Sequence, residues 1–208
     1  MDATVAVRSV ADVGPDTVAV TLDSPAGFDA RPGQFVKLTA TVDGAAESRF
    51  YTVSSPDTDG EFETTVGLDG GDFSAHLAEL NPGEEIEMSG PFGDEYYENE
   101  ARAVVLAGGP GIGPAVAIAE AALAAGNEAA VVYRDDAPAH AERLDAARDQ
   151  GARVVVTDGD VDDAVADAIT GTDGERAFVY GFADFVDAAV TALDAAGYED
   201  DAKVENFG

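Results

Sequence analysis

Residues 101–126 read ARAVVLAGGPGIGPAVAIAEAALAAG. The run from Ala103 to Ala107 is apolar without alternation, the pattern of a strand buried on both faces. Gly108 to Pro114 then forms a glycine-rich turn, and an Ala-rich stretch predicts a helix to Ala125 with Gly126 as its stop. Buried strand, glycine turn and helix form half of a parallel βαβ unit, and the same alternation continues downstream. The segments EAAVVY, ARVVVTDG, RAFVYGF and AKVENFG are predicted strands, separated by helices at AERLDAARDQG, VDDAVADAI and DFVDAAVTALDAAG. Strands alternating with helices imply a parallel sheet with right-handed crossovers.

Upstream of about Asn99 the pattern is different. TVAVRSV, DTVAVTLD, QFVKLTATV, SRFYTVSS, FETTVGL and EEIEMSG alternate in period two, and PAGFDARPG and LNPGE read as turns. Six short strands with no long helix predict a small antiparallel barrel. One short helix is expected at SAHLAEL, with Ser74 as its cap. The predicted division is therefore residues 1–98 as a β-barrel domain and 99–208 as an α/β domain.

Charge narrows the function. The 208 residues carry 11 Lys and Arg against 42 Asp and Glu, a formal net charge of −31. Nucleic acid and anionic membrane are disfavoured as partners, because polyanions repel such a surface. The acids are spread through well-patterned segments, which points to a halophilic protein: at ~1 M salt the Debye length is only about 3 Å. The absence of cysteine excludes disulfides, thiolate metal sites and catalytic thiols. His76 and His140 lack metal-ligand spacing, so no metal is expected. With no signal-like opening and no membrane-length apolar run, the chain reads as soluble and cytoplasmic.

The stretch RFYTVSSP, residues 49–56, carries the chemistry of the first half. On a strand Arg49 and Tyr51 share a face, while Phe50, with Val53, can serve an apolar core. Arg49 offers a forked cation for a pyrophosphate, Tyr51 a ring for a planar heteroaromatic, and Thr52 a hydroxyl or N–H for a polar ring atom. The competing reading is an ordinary strand whose arginine pairs with a surface acid. A second glycine turn, GGDFSAHL at 70–77, opens a short helix and supplies another phosphate-type site. A flavin dinucleotide needs such a pair. In the second half, Gly108 to Pro114 could cradle a phosphate or be glycine-rich for steric reasons. It is neither a G-x-G-x-x-G fingerprint with an acidic ribose reader nor a nucleoside-triphosphatase loop. Arg134, at the carboxyl end of a predicted strand, either reads a ribose 2′-phosphate or pairs with Asp135 or Asp136.

Taken in order, these motifs resemble the ferredoxin–NADP⁺ reductase family of flavin- and nicotinamide-dependent reductases over essentially the whole chain. RFYT with Ser54 resembles the Arg-x-Tyr-Ser/Thr flavin motif, GDFS the Gly-x-x-Ser pyrophosphate turn, and GPFG the strand before the linker. AGGPGIGP resembles the nicotinamide-nucleotide loop, VYGFADFVDAAVTAL the Cys-Gly-Pro-x-x-Met segment, and ENFG the Glu-x-aromatic ending. The resemblance implies a six-stranded antiparallel flavin-binding barrel followed by a Rossmann-like parallel α/β nucleotide-binding domain. It implies FAD as cofactor (FMN less so) and NAD(P)H as cosubstrate, with electrons passing through flavin N5.

By the same resemblance, the flavin is held by Arg49, Phe50, Tyr51, Thr52, Ser54, Val66, Gly71, Asp72, Phe73, Ser74 and Phe207. The nicotinamide nucleotide is held by Gly108, Gly109, Pro110, Gly111, Ile112, Gly113, Pro114, Arg134, Gly181 and Phe182. Thr52 and Glu205 are the catalytic candidates, and Phe207 shields the flavin face that nicotinamide must reach. Read alone, Glu205 is equally one more surface acid and Phe207 a core plug. The sequence departs from the family at Tyr180, where a cysteine is usual, at Phe182, where a proline is usual, and in the Gly208 that follows the aromatic. For the acceptor the resemblance implies an acidic ferredoxin, or a small molecule if the chain is a free-flavin or quinone reductase. A third reading is a non-catalytic flavin- or nucleotide-binding electron-transfer subunit or sensor. An iron–sulfur subunit of the dihydroorotate dehydrogenase kind is disfavoured by the missing cysteines.

Overall fold

The computed structural model describes residues 1–68 and 71–208. The first half forms one six-stranded antiparallel sheet from β1 (Asp2–Gly14), β2 (Thr17–Asp23), β3 (Phe35–Val42), β4 (Ala45–Thr52), β5 (Glu61–Gly67) and β6 (Glu85–Phe92), in the order β4-β3-β6-β1-β2-β5. The long first strand pairs with β6 through Asp2–Ala6 and with β2 from Val7 onward, with a register shift between Val7 and Ser9. That shift lets one strand serve both halves of a curved sheet. A bridge between Val53 and Thr64 brings the two edges together and closes the barrel. Alternate residues point inward, among them Val5, Val7, Val20, Leu22, Val36, Leu38, Phe62, Ile86 and Met88.

The helix α1 (Asp72–Ala78) covers one end of this core with the buried Phe73 and Leu77. It begins earlier than the sequence suggests. Gly71 takes the cap position with φ 88°, and the Ser74 hydroxyl donates instead to Gly71 O at 2.8 Å. Ser74 is therefore inside the helix and is not its cap. Phe50 also departs from expectation. It is 64% exposed, facing outward opposite Lys37, and contributes nothing to the barrel core.

The second half is a five-stranded parallel sheet of β7 (Arg102–Gly108), β8 (Glu128–Arg134), β9 (Arg153–Thr157), β10 (Glu175–Gly181) and β11 (Lys203–Asn206), in the order β11-β10-β7-β8-β9. Its helices are α2 (Ile112–Ala124), α3 (Ala141–Asp149), α4 (Asp162–Ala168) and α5 (Ala183–Ala195). Both faces of β7 are buried, which explains its unbroken apolar run. Ala103, Val105 and Ala107 pack with α2 and α3, whereas Val104 and Leu106 pack with α4 and α5. Gly126, at φ 78°, follows the last turn of α2 as its sequence requires.

The segment between the sheets is anchored on both sides. Tyr97 N donates to Pro32 O of the barrel at 2.9 Å. From the α/β side, the fully buried Tyr180 donates its hydroxyl to Glu95 O at 2.8 Å, and Lys203 Nζ reaches Glu98 and Glu100 at 2.9 and 2.8 Å. Tyr180 is thus a structural tie, filling with an aromatic ring and a hydroxyl the place where the resemblance leads one to expect a small thiol. Among the described residues no helix is long and apolar enough to cross a membrane.

Candidate functional site

A cleft of about 510 Å³ lies where the end of β4 meets the end of β11, a size suited to a small-molecule ligand. The barrel contributes Ser48, Arg49, Phe50, Tyr51 and Thr52 from β4, together with Phe35, Thr65, Gly67 and Ser74. The α/β half contributes Pro110, Pro114, Phe182, Glu205, Asn206 and Phe207. Residues more than 150 positions apart become neighbours because β11, although last in sequence, pairs in parallel with β10 and brings its carboxyl end to the barrel.

Arg49 and Tyr51 do share a face. Tyr51 stacks on Phe73 with centroids 6.3 Å apart and planes 16° from parallel, and the Arg49 guanidinium lies 5.8 Å from the same ring. Arg49 is half exposed; it donates to Ser48 O at 2.8 Å and meets Glu47 at 3.3 Å. Such an exposed pair is worth little and would yield readily to a phosphate. Burial pushes the Tyr51 phenol up to about 12, so it stays neutral.

The two catalytic candidates meet. Thr52 Oγ1 donates to Glu205 Oε1 at 3.4 Å across the junction of the two sheets. Burial raises the Glu205 carboxyl to about 7, and the Thr52 hydrogen bond only partly offsets it. Glu205 is not one more surface acid. Phe207 is half-buried, edge-on to the exposed Phe182 at 6.0 Å, and its N–H donates to Gly181 O at 3.0 Å. It packs against the α/β core and lines the cleft at once.

Other expected residues stand elsewhere. Ser54 is fully buried, with its hydroxyl donated to Glu63 at 2.8 Å and its carbonyl taken by Arg143, so nothing of its side chain reaches the cleft. The Val66 side chain is barrel core, and Phe73 backs the site from beneath. Gly71 and Asp72 do not line the cleft; of that turn only Ser74 does, and Gly70 lies outside the described residues.

In the second glycine loop, Gly109–Gly111 form a single 3-10 turn, and Pro110 and Pro114 reach the cleft. A side chain at Gly108 would overlap the Phe185 ring and one at Gly111 the Tyr180 carbonyl. At Gly113 a Cβ would stand 2.7 Å from Thr65 Oγ1 of the barrel. Only Gly109 faces open space. Ile112 is wholly core, and Gly181 adjoins Phe185. Arg134 makes no ion pair among the described residues; its guanidinium lies 4.9 Å from the Phe185 ring centroid. Asp135 is instead occupied by the Tyr133 hydroxyl at 3.0 Å.

Sequence reasoning overlooked Phe35, Ser48, Thr65, Gly67 and Asn206. Asn206 could have been found from its place between Glu205 and Phe207. Phe35 reaches the cleft only because it stands opposite Thr52 in the β3–β4 register, which no local signal encodes.

The donor set fits a flavin dinucleotide. Aromatic faces from Phe35, Phe50, Tyr51, Phe182 and Phe207 offer surfaces for a planar ring system, and Arg49 brings a cation to an otherwise acidic molecule. The comparisons with known proteins agree. Residues 4–97 match the family of oxidoreductase FAD-binding domains. The chain is 36% identical over 89 residues to a probable dihydroorotate dehydrogenase B (NAD(+)) electron transfer subunit of Methanopyrus kandleri, covering 43% of this chain and 32% of that one. It is 38% identical over 95 residues to NADH-cytochrome b5 reductase 1 of Candida albicans, 44% of this chain and 32% of the relative. The chain thus spans about a third of the length of these curated relatives.

Solved structures extend the likeness to the whole chain. The flavohem-like FAD/NAD binding domain of a Vibrio cholerae nitric oxide dioxygenase superposes with TM-score 0.82 at 23% identity, over 99% of this chain and 98% of that one. A Neisseria gonorrhoeae ferredoxin NADP+ reductase with bound FAD and NADP gives 0.79 at 16% identity, over 100% and 99%. By sequence the first half matches oxidoreductase FAD-binding domains, and the whole chain has the fold of these FAD- and nicotinamide-binding reductases.

Proposed function

We propose that the protein is an NAD(P)H oxidoreductase in which residues 1–98 hold FAD and residues 99–208 present the nicotinamide nucleotide. The observation that carries this reading is the Thr52–Glu205 pair, one residue from each half, at the base of an aromatic cleft. When bound, the flavin supplies hydride acceptance and onward electron transfer. The chain's own residues orient and shelter the reactants. Arg49 would neutralise the pyrophosphate, and Tyr51, held flat by Phe73, would stack on the ring system. Glu205, with its carboxyl near 7, holds or releases a proton close to neutral pH, while Thr52 Oγ1 donates to its Oε1 and orients it. Phe207 and Phe182 wall off water and would give way to the nicotinamide ring. Arg134, which makes no ion pair among the described residues and ends β8, would meet a 2′-phosphate, which favours NADPH.

For the acceptor, Phe50 at 64% and Phe182 at 49% exposure flank the opening. That favours acceptors with an apolar face, so quinones and free flavins belong in the test beside ferredoxin. The charge of −31 supports a halophilic protein working in cytoplasm-like salt. The deciding experiment purifies the protein in concentrated salt, measures FAD per chain, and mixes it anaerobically with NADPH or NADH. Bleaching of bound flavin supports the reading; bound flavin that neither coenzyme bleaches would instead make the chain a passive carrier. Ferredoxin, free flavin and quinone are then compared as acceptors.

A further inference from the structure

The α/β sheet touches the barrel at a second place, where the start of α3 presses on β1 and β5. Ala139 lies so close to Gly14 that a side chain at 14 would overlap it. His140 N donates to Val13 O at 2.7 Å, and His140 Nε2 shares a hydrogen bond with Thr65 Oγ1 at 2.8 Å. Burial, with the nearby Arg143 charge, holds this imidazole down to about 3, so it is neutral at working pH.

One turn later Arg143 binds four acceptors. Its Nε and Nη2 donate to the two carboxylate oxygens of Glu120 on α2, both at 2.7 Å. Nη1 donates to Glu63 Oε1 on β5 at 2.9 Å, and Nη2 to Ser54 O at 2.7 Å. Among the described residues, no other Arg or Lys forms ion pairs with strands of the barrel and helices of the α/β half together. Each partner leads to the cleft. Ser54 follows Thr52 by two residues, α2 begins at the glycine loop, and Thr65, beside Glu63 on β5, lines the cleft itself.

We propose that Arg143 is a positioning residue, whose four-point clamp, with the His140–Thr65 contact, sets the barrel and the α/β sheet at the angle that brings Thr52 to Glu205. A half-buried cluster of one guanidinium and two carboxylates is a poor device for stability alone, since apolar packing would do as well. Its strength is direction: a planar fork accepts few arrangements of its partners. The kinetic part of this inference rests on the proposed reductase activity; the geometric part does not.

The absence of cysteine makes the test direct. Spin labels are placed on the exposed sites Glu85→Cys in the barrel and Asp194→Cys on α5, and their distance distribution is measured in flavin-loaded protein. Arg143→Gln should broaden or displace that distribution, with flavin content unchanged. Anaerobic stopped-flow reduction by NAD(P)H should slow about tenfold or more, since misplacement by about 1 Å costs that much. The nicotinamide–flavin charge-transfer band should weaken, and Arg143→Lys should recover only part of either loss. If Arg143→Gln folds poorly, Glu120→Gln, which weakens the clamp without removing it, carries the same readouts. An unchanged distance distribution overturns the proposal, as does a broadened one with reduction and charge-transfer band at parental levels. A parent protein that NAD(P)H never reduces sinks the functional reading instead, and the distance measurement then decides the clamp by itself.

Discussion

Glu205 gives the sharpest quantitative expectation. Its carboxyl rises from 4.5 to about 7, chiefly through burial against the cleft. In the unfolded chain the same group titrates near 4.5. Well below pH 4.5 both states hold the proton and Glu205 costs nothing. Between 4.5 and 7 the unfolded chain releases it while the folded protein keeps it, so stability falls as pH rises. Above about 7 both are ionised and the full cost is present. For a single group with these two values the cost is about 0.8 kcal/mol at pH 5 and about 3 kcal/mol at pH 8. Glu205→Gln keeps an amide oxygen for Thr52 and removes the ionisation. The variant should therefore gain about 2 kcal/mol on its parent between pH 5 and pH 8. For a chain of this length that is a relative rise in melting temperature of about 4–8 °C. Calorimetry or flavin-fluorescence melting of both proteins, at fixed high salt across that range, measures it. A melting offset between the two that does not change with pH would refute the buried-carboxyl argument, because a mere packing change has no proton to exchange.

Arg49→Ala should purify with little FAD, since the only other basic residue on the β3–β4 ladder, Lys37, faces the opposite side; full flavin content by absorbance would remove Arg49 from the site. Tyr180→Phe leaves the Glu95 carbonyl without its buried donor and should cost about 1–3 kcal/mol in denaturant melts, with flavin retained; an unchanged midpoint would mean that the tie is idle. Lowering salt from ~1 M to 0.1 M lengthens the Debye screening distance from about 3 to about 10 Å and should depress the melting temperature, because most of the carboxylates have no ion-pair partner among the described residues; equal melting at both salts argues against halophilic design.

The layout of the chain was legible because its two periods are so different. Unbroken apolarity from Ala103 to Ala107 marks a strand buried on both faces, and period-two alternation in QFVKLTATV marks one buried on a single face. What escaped depends on partners distant in sequence. Phe50 looked like core by alternation with Arg49 and Tyr51, yet the face opposite them here is solvent, shared with Lys37, Phe35 and Phe92. Ser74 resembled a cap because serine commonly is one, but Gly71, free to take a positive φ, starts the helix earlier. Arg143 went unremarked, since nothing near it in sequence reveals Ser54, Glu63 or Glu120. Glu205 was found by its place in a motif, whereas its altered acidity comes from surroundings assembled by β10, β11 and the barrel.

The glycines of residues 108–113 have a consequence for how such loops are interpreted. Three of them are required by neighbouring protein atoms: the Phe185 ring, the Tyr180 carbonyl and the Thr65 side chain. Selection on packing alone would preserve them. A descendant of this chain that had ceased to bind any nucleotide would still display the same glycine spelling for as long as its two halves stayed in contact. Gly109 has open space where a side chain would stand, yet its φ of 54° lies in the left-handed region that favours glycine, so the protein's own backbone and packing hold all four glycines, and their persistence is no record of nucleotide binding.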